Sequence, residues 1–142
     1  MVRISEKDIA ILEMLMRNAR IPYTEIARQI GVTEAAVRKR VKKFEELGII
    51  KGYRAEIDPK KIGYKVVALI GFDIEPEYYL EALDKVRGMR EVRRMLSTTG
   101  DHMAMVECWF RDGDELAGFV RRIEKIKGVL RVCPAILVEE LK

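Results

Sequence analysis

Histidine, cysteine, asparagine and glutamine are almost missing from these 142 residues, and each scarcity closes a class of chemistry. With His102 as the only histidine there is no His pair to hold a metal and no second imidazole for general acid–base work. Cys108 and Cys133 are too few for a disulfide framework, form no Cys-x-x-Cys pair, and are expected as small apolar packers on strands. Neither G-x-x-x-x-G-K-[ST] nor G-x-G-x-x-G occurs, so the common glycine-rich phosphate cradles are excluded. No metal, cofactor or catalytic residue is therefore expected. No apolar run approaches the roughly 20 residues of a membrane span, and Met1–Ser5 lacks the apolar stretch of a signal peptide. The expected location is cytoplasmic, with no membrane partner. A single Asn18 and a single Gln29 beside 27 Lys+Arg and 23 Asp+Glu lean towards a heat-adapted source.

What is present is a core-forming chain, 49% hydrophobic, whose positive charge sits at one end. Residues 1–61 hold 14 Lys+Arg against 9 Asp+Glu, a net +5, whereas residues 62–142 carry a net −1. This asymmetry points to a front part that faces a polyanion and a rear part employed otherwise. The turn signal Asp58-Pro59 marks the boundary region.

The front part reads as three helices. Ser5 is placed to cap a helix over about Glu6 to Asn18, with Asp8 in its first turn and Ile4 and Ile9 at the spacing of a hydrophobic staple. Ile9, Leu12, Leu15, Met16 and Ala19 are expected to form its apolar stripe. A short helix follows Pro22, turns Ile26, Ala27 and Ile30 inward, and stops at Gly31. Thr33 opens a third, in which Val37, Val41 and Phe44 recur at i, i+4, i+7 until Gly48. Gly31-Val32-Thr33 joins the last two as a helix-turn-helix unit, where Ala27 permits close helix approach.

The third helix carries Arg38, Lys39, Arg40, Lys42 and Lys43. At about 100° per residue from Val37, Ala35, Lys39 and Lys42 point away from the buried stripe, Arg38 and Lys43 flank that outer face, and Arg40 lies nearer the core. A helix of this width fits the DNA major groove. Lys39, Lys42, Lys43 and Arg20 are assigned to phosphates, and Arg38 with Thr33, Glu34 and Ala35 to base reading. Thr24 either offers its hydroxyl and nearby amides to a phosphate or caps its own helix. A lone basic helix is most often a solvated face. Three helices in order, the small residues at Ala27 and Gly31, and the charge asymmetry together select double-stranded DNA as the partner.

After Gly48, Ile49 to Ile57 is extended in character, a wing or a linker strand. From Lys65 the order is strand, helix, strand, strand, helix, strand. Strands are expected at Val66 to Ile74, Val92 to Thr98, Met103 to Phe110 and Val129 to Val138. One helix starts around Pro76 with Tyr79, Leu80, Leu83 and Val86 inward. Another follows Asp112 with Leu116, Phe119, Val120 and Ile123 inward, and Asp112 and Glu115 have capping-box spacing. Lys85–Met89 and Lys125–Val129 form a faint repeat 40 residues apart. The βαββαβ order gives an α+β fold in which a ferredoxin-like sandwich, both helices on one sheet face, follows the helix-turn-helix. Apolar residues on both sides of the pleat, among them Val67, Leu69, Val106 and Ile136, require a second sheet against the bare face, most simply that of a second subunit. Trp109 and Met105 are read as core. A rival reading, a βαββαβ catalyst or metabolite-binding module with a basic appendage, would need convergent acid, base or nucleophile residues, and the sequence offers none.

The whole chain resembles the Lrp/AsnC, or feast/famine, family of prokaryotic transcription regulators. The resemblance is carried by Ser5-Glu6-Lys7-Asp8-Ile9 with Ile11-Leu12, Ala19-Arg20, Glu25-Ile26-Ala27, Gly31-Val32-Thr33, Val37-Arg38-Lys39-Arg40-Val41 and Leu47-Gly48-Ile49-Ile50. It implies a DNA-binding domain over residues 1–50, a linker strand or hinge over 51–64, and a ferredoxin-like effector-binding and oligomerisation domain over 65–142. It also implies homodimers that assemble into tetramers or octamers, with amino acids as effectors. The family's effector loop corresponds to Thr98, Thr99, Gly100, Asp101 and His102. Gly100 and Asp101 fit the pattern, while His102 and Met103 stand where the family usually has an aromatic and a second acidic residue. Gly100-Asp101 serves equally as an ordinary hairpin turn.

Overall fold

A computed structural model describes residues 2–142 and divides the chain into two compact units, one running through Glu56 and the other spanning Ile57–Lys142. No helix among the described residues is long and apolar enough to cross a membrane.

The first unit consists of α1 (Glu6–Arg17), α2 (Tyr23–Ile30) and α3 (Glu34–Glu46). Ile11, Leu15, Ile26, Ala27, Val37, Val41 and Phe44 fill its core. α1 begins with a complete capping box, the Asp8 N–H donating to Ser5 Oγ at 3.2 Å and the Ser5 N–H to Asp8 Oδ2 at 2.9 Å. Its buried stripe is Asp8, Ile11 and Leu15, which corrects the phase expected from the sequence: Ile9, Met16 and Ala19 are exposed. The reason is that a carboxylate, Asp8, occupies an inward position. Gly31, at φ +70°, ends α2 in the left-handed region, where a side chain would be strained. The Thr33 Oγ1 accepts the Ala36 N–H at 3.1 Å and starts α3. Residues 49–58 form no strand. They join no ladder, because no other segment of the described chain pairs with them.

The second unit opens with one turn of 3-10 helix, Pro59–Ile62, capped by Asp58. Then follow β1 (Val66–Ile74), α4 (Tyr79–Arg87, after a turn at Pro76–Tyr78), β2 (Val92–Ser97), β3 (Ala104–Phe110), α5 (Gly113–Glu124) and β4 (Val129–Ile136). The sheet is antiparallel in the order β2-β3-β1-β4, the ferredoxin-like arrangement. β3 alternates without exception between buried and half-buried residues. Ala104, Val106, Cys108 and Phe110 join Ala68, Ile70, Phe72 and Ile74 of β1 beneath Ala82 and Val86 of α4 and Leu116, Phe119 and Ile123 of α5. Leu80 points outward at 79% exposure and Ala82 takes the inward place, since a large side chain there would separate helix from sheet. Asp112 caps α5, but Glu115 reaches back to the Arg111 N–H, one residue before the cap. The repeat is inexact: Gly88 caps α4 in a helical conformation, whereas Gly128 lies beyond the end of α5 at φ +92°.

The opposite sheet face carries Val67, Leu69 and Gly71 of β1, Met105, Glu107 and Trp109 of β3, Leu96 of β2, and Cys133 and Ala135 of β4. Trp109 and Met105 are thus not core residues of the single chain. They are half-buried on the face away from the helices.

Candidate nucleic-acid interface and effector loop

The five cations of α3 divide by partner. The Arg40 Nε donates to Asp8 Oδ1 at 2.7 Å and its Nη2 to Asp8 Oδ2, a bidentate pair that ties α3 to the capping box of α1. Arg38 pairs with Glu34 one turn earlier and lies 5.3 Å from the centroid of the Tyr23 ring. Lys39, Lys42 and Lys43 are exposed and have no carboxylate partner among the described residues. The same helix that buries Val37, Val41 and Phe44 completely therefore presents three uncompensated ammonium groups on its other side. Ala35 is exposed beside them.

The outer surface of α2 is electrically self-contained. Glu25 accepts hydrogen bonds from Arg28 and Gln29, and the Arg28 bond, followed by that of Gln29, lowers its carboxyl pKa to about 2. α2 thus adds no net charge to this unit. Thr24 does not cap its helix: the cap position is Pro22, which offers no side-chain acceptor. The Thr24 hydroxyl is exposed and has no hydrogen bond among the described residues, at a helix N-terminus where amides point outward. Arg20 is exposed, and its N–H donates to Asn18 Oδ1 at 3.0 Å, which fixes the turn between α1 and α2.

In the second unit Thr98–His102 form the β2–β3 connection. The Thr98 N–H donates to the Met103 carbonyl at 3.0 Å, the Thr98 hydroxyl donates to the His102 carbonyl at 2.7 Å, and Gly100 turns at φ +103°. The loop is also pinned from β1 and β4 by two residues that the sequence did not single out. Asp73 accepts the Arg131 Nε at 2.8 Å and the Met103 N–H at 3.3 Å, and the Arg131 Nη2 donates to the Asp101 carbonyl at 2.9 Å. Burial works upward on the Asp73 carboxyl, but the Arg131 and Met103 hydrogen bonds and the nearby Arg131 and His102 charges outweigh it and hold its pKa below the ordinary value. The His102 ring lies in the notch left by Gly71, where an added Cβ would come within 2.3 Å of it. Thr99, Gly100 and the Asp101 side chain stay exposed. Asp73 and Arg131 left one signal in the sequence: each is a single charge inside an apolar strand, and the two are register partners.

Residues 4–51 match the winged helix-turn-helix DNA-binding family, and residues 67–142 match the Lrp/AsnC ligand binding domain. The HTH-type transcriptional regulator LrpA of Pyrococcus horikoshii is 49% identical over 140 residues, 98% of this chain and 99% of that protein. The regulator Ptr1 of Methanocaldococcus jannaschii is 38% identical over 133 residues, 92% of this chain and 88% of that protein. Among solved structures, AsnC of E. coli superposes with a TM-score of 0.84 at 32% identity, covering 99% of this chain and 96% of that one.

Proposed function

This chain belongs to the Lrp/AsnC family of transcriptional regulators, and from that premise we propose that it reads roughly palindromic operators with paired recognition helices under the control of an amino acid. It is a DNA-binding regulator and not an enzyme. The observation that carries the reading is the row of unpaired Lys39, Lys42 and Lys43 on a helix whose far side is wholly buried. These lysines, with Arg20 and the free N-terminal amides and hydroxyl at Thr24, take phosphates and supply most of the affinity. Arg38 exchanges Glu34 for a base edge, while Thr33, Glu34 and Ala35 at the start of α3 set its approach. Arg38→Ala is expected to relax base preference and leave the salt dependence nearly unchanged, measured on a panel of single-base operator variants.

One recognition helix covers only a few base pairs, so useful discrimination requires two, spaced by about 10 base pairs or a multiple. The bare sheet face supports the pairing. Leu69 of inner strand β1 is 43% and Leu96 of edge strand β2 44% exposed, and with Met105 and Cys133 they make a largely apolar surface, interrupted by Glu107, that a second copy would cover. Leu69→Arg places a charge there with room to leave the fold intact, and the expected result is a folded monomer by light scattering at micromolar concentration. An unchanged assembly would move the subunit interface elsewhere.

For the effector, the exposed Asp101 carboxylate suits an ammonium, and the amides near Gly100 suit a carboxylate. An amino acid held there between dimers would favour one assembly over another and so change which operators are engaged together, in tetramers or octamers. Selection of bound fragments from random DNA, with and without a panel of amino acids, tests both levels. Enrichment of a dyad sequence is expected. No enrichment under any condition would remove the DNA reading, and enrichment indifferent to every amino acid would remove the effector.

A further inference from the structure

The second unit holds a group of cations to which neither operator reading nor effector binding gives a role. Tyr64, two residues before β1, and Trp109, near the end of β3, pack with ring centroids 5.7 Å apart. Arg93 of edge strand β2 lies over both, 4.6 Å from the Trp109 centroid and 5.3 Å from that of Tyr64, and Arg111 covers Tyr64 at 4.9 Å. Both guanidinium groups belong to exposed residues, and neither has a carboxylate partner among the described residues. Lys60, Lys61 and Lys65 flank Tyr64 in the chain and are exposed as well. Lys65, Arg93 and Arg111 fall in residues 62–142, whose net charge is −1, so their grouping does not follow from composition.

A guanidinium laid flat on an aromatic face keeps its N–H edge free and loses little rotamer freedom when that edge is engaged. Two such groups beside the same ring repel each other, and a polyanion held by both offsets that repulsion. Charged groups are depleted from the centres of subunit interfaces. Trp109 lies on the same sheet face as Leu69, paired with Val67 at the end of the sheet where β1 and edge strand β2 begin. Seven residues lie between Glu56, the end of the first unit, and Tyr64, a tether of at most about 29 Å and less than one turn of B-form DNA.

Resting on the reading that this chain binds DNA, we infer that Arg93 and Arg111, presented by Tyr64 and Trp109, form a second grip on the phosphate backbone beside the sequence that the recognition helices read. This grip reads no bases. It adds affinity and salt dependence equally on every duplex and lengthens the protected segment.

The full-length double variant Arg93→Gln/Arg111→Gln tests this against the parent protein, on a selected duplex and on an unrelated one of about 40 base pairs, across a salt series. Roughly tenfold weaker binding to both duplexes near 0.1 M salt is expected, with a slope of log affinity against log salt shallower by about 0.9 for each phosphate that is no longer neutralised. Arg93→Lys/Arg111→Lys, which keeps the charges, should retain most of the slope. An unchanged slope, a loss confined to the selected duplex, or a variant that sediments as a smaller assembly than the parent each overturns the inference. Failure of the parent to bind any duplex would instead remove the DNA reading on which the inference rests, so the two failures are told apart by one control.

Discussion

Asp8→Ala should cost the N-terminal unit about 3 kcal/mol and abolish DNA binding at ordinary temperatures, because it leaves the Arg40 guanidinium unpaired against the core. Asp8 is 4% exposed and receives two Arg40 hydrogen bonds as well as the Ser5 N–H, so a single truncation removes an ion pair and half of a capping box together. Three short helices around seven buried side chains have little stability to spare. Arg40 belongs to the recognition helix, so the pair also fixes how α3 lies against α1 and hence where its lysines point. Asp8→Asn, which keeps the size and an acceptor, should fall between the two, whereas an apolar exchange of both partners, Asp8→Leu with Arg40→Met, should restore much of the stability. The Arg40 hydrogen bonds hold the Asp8 pKa below its ordinary 3.8 against the upward pull of burial, with help from Ser5. A carboxyl depressed in the folded state stabilises fully above its unfolded pKa, and that contribution disappears as the pH falls below about 4 through the folded value. Melting followed by circular dichroism should therefore be flat with pH near neutrality for this group. The difference between the parent and Asp8→Ala should shrink only in acid. A variant that melts with the parent at pH 7 would show that the pair holds nothing.

Asp8 also explains why the buried face of α1 is not legible from its apolar residues. Counting them assigns Ile9, Met16 and Ala19 to the core, because the rule assumes that inward positions are apolar. The true face runs through Asp8, Ile11 and Leu15. α2, α3, α5 and the strands are legible because their inward positions are mostly apolar and the helix ends carry Gly31, Thr33 and Asp112. The α3 cations are legible as a set, but their division is not. Which of them meets a carboxylate depends on partners that come together only after folding: Asp8 is 32 residues from Arg40, while Glu34 is within reach of Arg38 on any helix. The effector loop is legible through Gly100-Asp101, and its anchors are not. Asp73 and Arg131 lie 58 residues apart and meet only through the β1–β4 register. Trp109 reads as core because a lone tryptophan in an apolar strand has no marker for the side it takes. In β3 that side is set by a parity that also sends Glu107 outward.

Lys39→Ala/Lys42→Ala should reduce affinity for every duplex by about 100-fold near 0.1 M salt and leave the protein as stable as before. The two halves of that expectation depend on the same geometry. Both side chains are exposed and unpaired, so truncation breaks no bond in the folded chain, and alanine is at least as good a helix former as lysine. Each neutralised phosphate contributes about 0.9 to the slope of log affinity against log salt, so two per helix give a change of about 2, and about 4 where two helices bind together. Steepness thus reports how many recognition helices are engaged at once, a quantity that a single affinity cannot provide. Lys39→Arg/Lys42→Arg should keep the slope, because the charge and not the ammonium geometry carries the interaction. If the alanine pair binds with the parent's slope, the outer face of α3 is not the side turned to DNA. The paired Arg38 and the exposed Thr24 at the N-terminus of α2 would then define the interface, and the helix would have to lie in the groove rotated about its own axis towards α2.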